Sequence, residues 1–189
     1  MTDASGSIMT VTGPIDPEEL GVTITHEHVF IDMRNWLSVP ESAYERDVAE
    51  EPVSQENLWY VNRKPMASRD NLFLGSKSEA IDEIEQYAQA GGSSIIEVTP
   101  KGNTGQDPEQ VREVGRQTGV QFIQGTAYYV RTGHPERIDT LSEDELEAEF
   151  VSDVREGIDD TDVRAGIIGE IGLSVDENAE IYDAELKVL

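Results

Sequence analysis

The sequence has 189 residues, of which 39 are acidic and 14 basic, for a formal net charge of -25. That length suffices for one domain with a sizeable core, while a field this negative opposes binding to nucleic acid or to an anionic membrane. With no cysteine, disulfides and thiolate metal sites are excluded, and no run approaches the ~20 apolar residues of a membrane span.

The acidic residues are spread along the chain between recurring apolar runs, which argues against disorder for most of it. Dispersed acidity suits a protein that stays soluble at high salt, where screening removes self-repulsion. A halophilic source is therefore expected. Met1-Thr-Asp-Ala-Ser-Gly-Ser7 has neither the basic region nor the apolar core of a secretion signal. It reads as a frayed end, with a cytoplasmic location as the expectation.

Ile8–Thr12 is a short β-rich piece turned by Gly13-Pro14, and residues 1–12 read as an N-terminal arm to a body over 13–189. Asp16 to Gly21 predicts one helical turn, with Asp16 as N-cap, Pro17 at the first helical position and Gly21 at the stop. Val22–Phe30 is rich in β-branched residues and predicts the first strand. Within it, His26 and His28 are two apart, and residues i and i+2 of a strand share a face. They are either polar residues on a half-solvated face or two ligands of one metal. Two of the chain's three histidines fall in this one strand, which favours the metal. Glu170, in the apolar run Ala165–Gly172, is the carboxylate to pair with them. The three are expected to converge on a divalent ion at the C-terminal end of a parallel barrel.

Residues 32–75 are long, weakly patterned and hold both tryptophans, Trp36 and Trp59. A connection of this length is usually functional. It reads as an elaborated loop over the mouth of a site, with a helical piece at Gln55–Val61, or as a peripheral loop whose aromatics pack on the core. Ser76–Ala90 predicts a helix capped by Ser78, with Ile81, Ile84, Tyr87 and Ala88 on one face and Gly91-Gly92 at its end. Ser94–Thr99 predicts a buried strand, and Lys101–Gly105 a turn without phosphate-loop spacing. Asp107-Pro108 opens the next helix, which Gly119 closes, and Val120–Val130 predicts the third strand. Ser142 and Glu145 form a capping box for an acidic helix to Ile158, with Leu146, Phe150 and Val154 as its apolar face. Ala165–Ile171 is the fourth strand, and a last helix begins at Glu180. Strands alternating with helices predict parallel βαβ units, half of an eightfold α/β barrel. A doubly wound open sheet is the alternative, but no Gly-x-Gly-x-x-Gly opens a helix after the first strand.

Gly13-Pro-Ile, then Glu-Glu-Leu-Gly, then Thr25-His-Glu-His-Val-Phe30 resemble the N-terminus of the phosphotriesterase-like family of the amidohydrolase superfamily. Gly125-Thr-Ala-Tyr-Tyr-Val130, followed by His134-Pro135, is similar to that family's third strand and loop. Ala165-Gly-Ile-Ile-Gly-Glu-Ile-Gly172 is similar to its fourth strand. A lone His-x-His would also fit the TatD-type nucleases; its tandem with the fourth-strand motif is specific.

This resemblance implies a (β/α)8 TIM-type barrel, of which the chain carries about four βα units, the N-terminal half. It implies a two-metal site, usually zinc, with His26 and His28 as first-strand ligands. Glu170 stands where many members carry a carboxylated lysine, as in the phosphotriesterase-homology branch, and would supply the bridging carboxylate directly. The implied reaction is hydrolysis of a small-molecule ester or lactone by metal-activated hydroxide. Glu170 and Tyr129 are the implied catalytic residues. Tyr128 and Tyr129 are both candidates to contact the polarised oxygen, the alternative being that one of them packs in the barrel core, and His134 is expected near the substrate. The family's further ligands, two histidines on strands five and six and an aspartate on strand eight that is the implied base, have no counterpart in this sequence. A catalytically incomplete half barrel, binding metal weakly and pairing with itself or with a complementary half, is the second hypothesis.

Overall fold

In the computed structural model, which describes residues 6–189, a hairpin of β1 (Ile8–Thr10) and β2 (Gly13–Ile15) precedes the main sheet. The chain reverses at Val11-Thr12 and not at the expected Gly13-Pro14, because Thr10 Oγ1 donates to the Gly13 carbonyl at 2.6 Å and ties the ends of the turn. The expected frayed end at residues 1–5 lies outside the described residues. One 3-10 turn, Pro17–Glu19, follows, with the Glu19 carboxylate accepting from the Asp16 N–H at 2.9 Å.

The sheet begins with β3 (Thr23–Glu27). A small antiparallel pair, β4 (Ile31–Asp32) with β5 (Phe73–Leu74), brackets the long connection. β6 (Ser94–Glu97), β7 (Gln121–Thr126) and β8 (Ile167–Ile168) complete a parallel four-stranded sheet in the order β3-β6-β7-β8. β3 and β8 are its two edges. The strands are shorter than the apolar runs that announce them. The Val22–Phe30 run pairs only to Glu27, Val120–Val130 ends at Thr126, and Ala165–Ile171 contributes only Ile167–Ile168. Beyond these points the chain leaves the ladder to build loops at the C-terminal end of the sheet, and each edge strand has a neighbour on one side only.

Among the described residues, six α-helices accompany these strands. α1 (Ala43–Glu50) and α2 (Leu58–Val61) lie in the long connection, the latter inside the expected helical piece. α3 (Lys77–Gln89) is capped by Ser76 and not by the expected Ser78. Ser76 keeps the extended backbone that a cap needs, and its Oγ accepts from the Glu79 N–H at 3.4 Å. α4 (Pro108–Thr118) starts under Asp107, which accepts from the Gln110 N–H at 3.0 Å, and ends at Gly119 in the left-handed region at φ 76°. α5 (Glu143–Arg155) has the Ser142–Glu145 capping box but stops before Ile158. α6 (Asp183–Leu186) is one turn within the stretch expected to be helical from Glu180.

One face of the sheet buries Ile95 and Phe122 against Val111 and Val114 of α4 and, from α3, Ile81, Ile84 and Tyr87. A second cluster joins Tyr128, Ile138, Leu146, Phe150, Ala184 and Val188. The long connection has its own small core of Val48, Ala49, Tyr60 and Ala67. It docks through Asn35, whose amide donates to the carbonyls of Asn103 at 3.1 Å and Thr132 at 2.8 Å. These acceptors lie in the loops after β6 and β7, so the connection rests over the C-terminal end of the sheet.

Candidate metal centre

His26 sits near the end of β3, and His28 just past it. A register shift between Ile24 and Glu27, against Ile95 and Glu97 of β6, breaks the simple alternation there. Even so, both rings arrive on one side, with centroids 5.4 Å apart and planes at 81°. Glu170 comes from the loop after β8. The Gly169 N–H donates to the Thr126 carbonyl at 2.9 Å, carrying this loop across β7. A Cβ at Gly125 would run into the Gly169 carbonyl oxygen, so the approach depends on that glycine.

The result is convergence. His26 Nε2 lies 3.3 Å from Glu170 Oε2, and His28 Nε2 lies 3.7 Å from Glu170 Oε1. Ligand atoms of the three residues fall within 4.8 Å of one another. With metal–ligand bonds of about 2.0–2.2 Å, tetrahedral neighbours stand about 3.3 Å apart, so these donors fit a divalent ion. His26 is 58% exposed, His28 25% and Glu170 21% as side chains, leaving the centre open to a small molecule. Burial, followed by the neighbouring His26, lowers the His28 pKa, while Glu27 opposes the shift. This favours the neutral imidazole that a metal requires. Burial raises Glu170, with His26 pulling the other way.

The other candidates are placed differently. Tyr128 is buried, and its hydroxyl donates to Glu149 Oε1 at 2.6 Å and meets Arg137. Its ring packs beside Phe150 of α5, with centroids 5.9 Å apart. Tyr129 is partly buried, its ring lying where a Cβ on Gly172 would fall, two residues beyond Glu170. His134 is largely buried, bonds the Tyr129 carbonyl through Nε2 at 3.0 Å, and keeps a buried Nδ1 without a protein partner.

Two polar networks have no counterpart in the sequence reading. In the first, His28 Nδ1 meets Thr99 Oγ1 at 3.0 Å, and Thr99 bonds Glu97 Oε1 at 2.5 Å. Gln124 Nε2 donates to Glu97 Oε2 at 2.6 Å. A glutamate and a threonine two apart at the end of the Ser94–Thr99 run were the available signal. In the second, Lys101 is far more than part of a turn: its Nζ lies 2.9 Å from Glu149, 2.8 Å from Asp153 and 2.9 Å from Asp159.

A model of the phosphotriesterase family matches residues 6–189. The chain belongs to the phosphotriesterase family. Family relatives include the N-acetyltaurine hydrolase of Tetraodon nigroviridis, 37% identical over 190 residues that cover 100% of this chain and 53% of that one. A crystal structure of a resiniferatoxin-binding protein from Rhodobacter sphaeroides superposes with a TM-score of 0.90 at 38% identity, covering 97% of this chain and 50% of that one. The phosphotriesterase homology protein of Escherichia coli, complexed with phosphate in its active site, gives a TM-score of 0.64 at 27% identity over 90% of this chain and 47% of that one. The chain thus spans about half the length of the curated relatives it matches. Its sheet is the N-terminal half of a (β/α)8 barrel of the phosphotriesterase family.

Proposed function

We propose that this chain carries half of the centre of a metal-dependent hydrolase that cleaves an acyl bond in a small molecule. The observation that carries the reading is the meeting of His26, His28 and Glu170 within ligand distance. Two imidazoles and a carboxylate, with no thiolate, suit zinc. A divalent ion held there supplies Lewis-acid activation of a carbonyl and of water. His26 and His28 would hold it through Nε2 and Glu170 through its carboxylate, which turns one oxygen toward each ring. Tyr129 orients the carbonyl oxygen. The substrate is an ester or a lactone, or an N-acyl amide, which the name of the 37% identical relative supports.

The sheet edges favour a second element of the same reading, a complementary half. A groove between β3 and α3 exposes Phe73 and Leu74 beside Ile24 and Val29, and another beside β8 is lined by Leu146, Phe150, Ile168 and Leu186. Apolar surface of this kind drives association. Among the described residues no helix is long and apolar enough to cross a membrane. The charge supports work at high salt.

The test is hydrolysis of lactones, aryl esters and N-acetyltaurine by the zinc-loaded chain, co-expressed with a second chain that supplies strands five to eight. Turnover that Glu170→Ala abolishes is the expected result. Turnover indifferent to Glu170→Ala and to chelation would overturn the proposal.

A further inference from the structure

The Thr99 hydroxyl has three polar neighbours and one hydrogen to give. They are His28 Nδ1 at 3.0 Å, the Phe30 carbonyl at 3.0 Å and Glu97 Oε1 at 2.5 Å. The Phe30 carbonyl can only accept. Glu97 is surrounded by donors, with the Val29 N–H reaching Oε1 at 3.2 Å and Gln124 Nε2 reaching Oε2 at 2.6 Å. It therefore sits as an accepting carboxylate. Burial raises it to about 6, and the bonds from Thr99, Gln124 and Val29 oppose that rise by favouring the carboxylate.

Two acceptors thus compete for the one hydrogen of Thr99, and only lone pairs of its oxygen remain for His28. We infer that Thr99 is a positioning residue that fixes His28 in the Nδ1–H tautomer, with its bare Nε2 lone pair turned toward Glu170. Glu97 is the anchor that orients the Thr99 hydroxyl, and Gln124 and Val29 hold Glu97. Thr99, Glu97 and Gln124 are all buried, so the support is built before any ligand arrives. Its purpose rests on the metal reading above, but its geometry does not. Outer partners that set tautomer and ring orientation commonly change metal affinity by about 10–100-fold when removed.

The test has two arms. The first uses the metal-free chain, with nitrogen-15 in its three histidines. Long-range proton–nitrogen correlation spectra near pH 8, where imidazoles are neutral, report which ring nitrogen carries hydrogen, and His28→Gln identifies the His28 signal. The wild type should show Nδ1–H. Thr99→Val should lose that preference, and Thr99→Ser should keep it. The second arm titrates cobalt(II): Thr99→Val should bind about 10–100-fold more weakly than wild type, and Thr99→Ser should recover. An Nε2–H wild-type tautomer overturns the inference, as does a Thr99→Val protein with unchanged tautomer and affinity. If the wild type binds no cobalt, the metal reading fails, while the spectra still decide the tautomer. If Thr99→Val does not fold, the wild type and Thr99→Ser decide it.

Discussion

Lys101→Met removes the cation from a buried cluster while keeping the length and apolar stem of the side chain. The lysine is 2% exposed and Asp153 3%, so both charges are out of water. At 2.8 Å and an effective dielectric constant of about 20, their attraction is about 6 kcal/mol. Most of that offsets the several kcal/mol lost on dehydrating each ion. What the substitution exposes is the uncompensated partner. Asp153 keeps one bond, from Thr126 Oγ1 at 2.5 Å, and Glu149 keeps Arg137 at 2.7 Å. Asp159, 63% exposed, loses little. Removing one member of a buried pair costs about 3–5 kcal/mol, which for a chain of this size lowers Tm by about 6–20 °C. The pH dependence has a definite sign. Burial pushes Glu149 up, but bonds from Arg137, Lys101 and Tyr128 outweigh it and hold the carboxyl at about 2, against an ordinary 4.5. Its stabilisation is therefore full above 4.5 and lost as pH falls through 2. Lys101 is lowered by burial but raised further by Asp153, Asp159 and Glu149, so its share persists throughout the neutral range. Urea unfolding of both proteins in molar KCl, at several pH values, measures the gap. It should be full at neutral pH and narrow in acid. A gap under about 1 kcal/mol at neutral pH would refute the reasoning.

Three further outcomes are expected. With a net charge of -25, the chain should gain stability from low to molar KCl as screening relieves repulsion; a melt unchanged by salt would remove the halophilic reading. The two apolar edge grooves should make the isolated chain self-associate at micromolar concentration in high salt; sedimentation showing one monodisperse, cooperatively unfolding monomer would contradict this. Gly125→Ala should drive the Gly169 carbonyl away from β7 and carry Glu170 with it, weakening metal binding more than global stability; parallel metal titration and thermal melts compare the two losses.

Much of the frame was legible because its signals are local. Asp107-Pro108 and Gly119 bound α4, and Ser142 with Glu145 opens α5. His26 and His28, two apart in one run, announced their shared side, and both rings arrive there despite a register shift in the ladder between Ile24 and Glu27. The cap of α3 was misplaced because Ser76 and Ser78 both suit a helix start, and only the extended backbone at Ser76 separates them. Strand lengths were overestimated because apolar runs continue past the last ladder bond, as at Val120–Val130. The Lys101 cluster was invisible because its carboxylates, Glu149, Asp153 and Asp159, lie beyond two intervening elements of the chain. Glu97 closes β6 and Thr99 lies two residues past it, and their hydrogen bond leaves no local signal in a run that reads as a buried strand.

Equilibrium dialysis of the metal-free chain against zinc, followed by elemental analysis, tests the centre most directly. We expect about one weakly held ion per chain in the wild type, and none above background in His28→Ala or Glu170→Ala at the same zinc activity. Equal zinc content in the wild type and both variants would contradict a centre built from His26, His28 and Glu170.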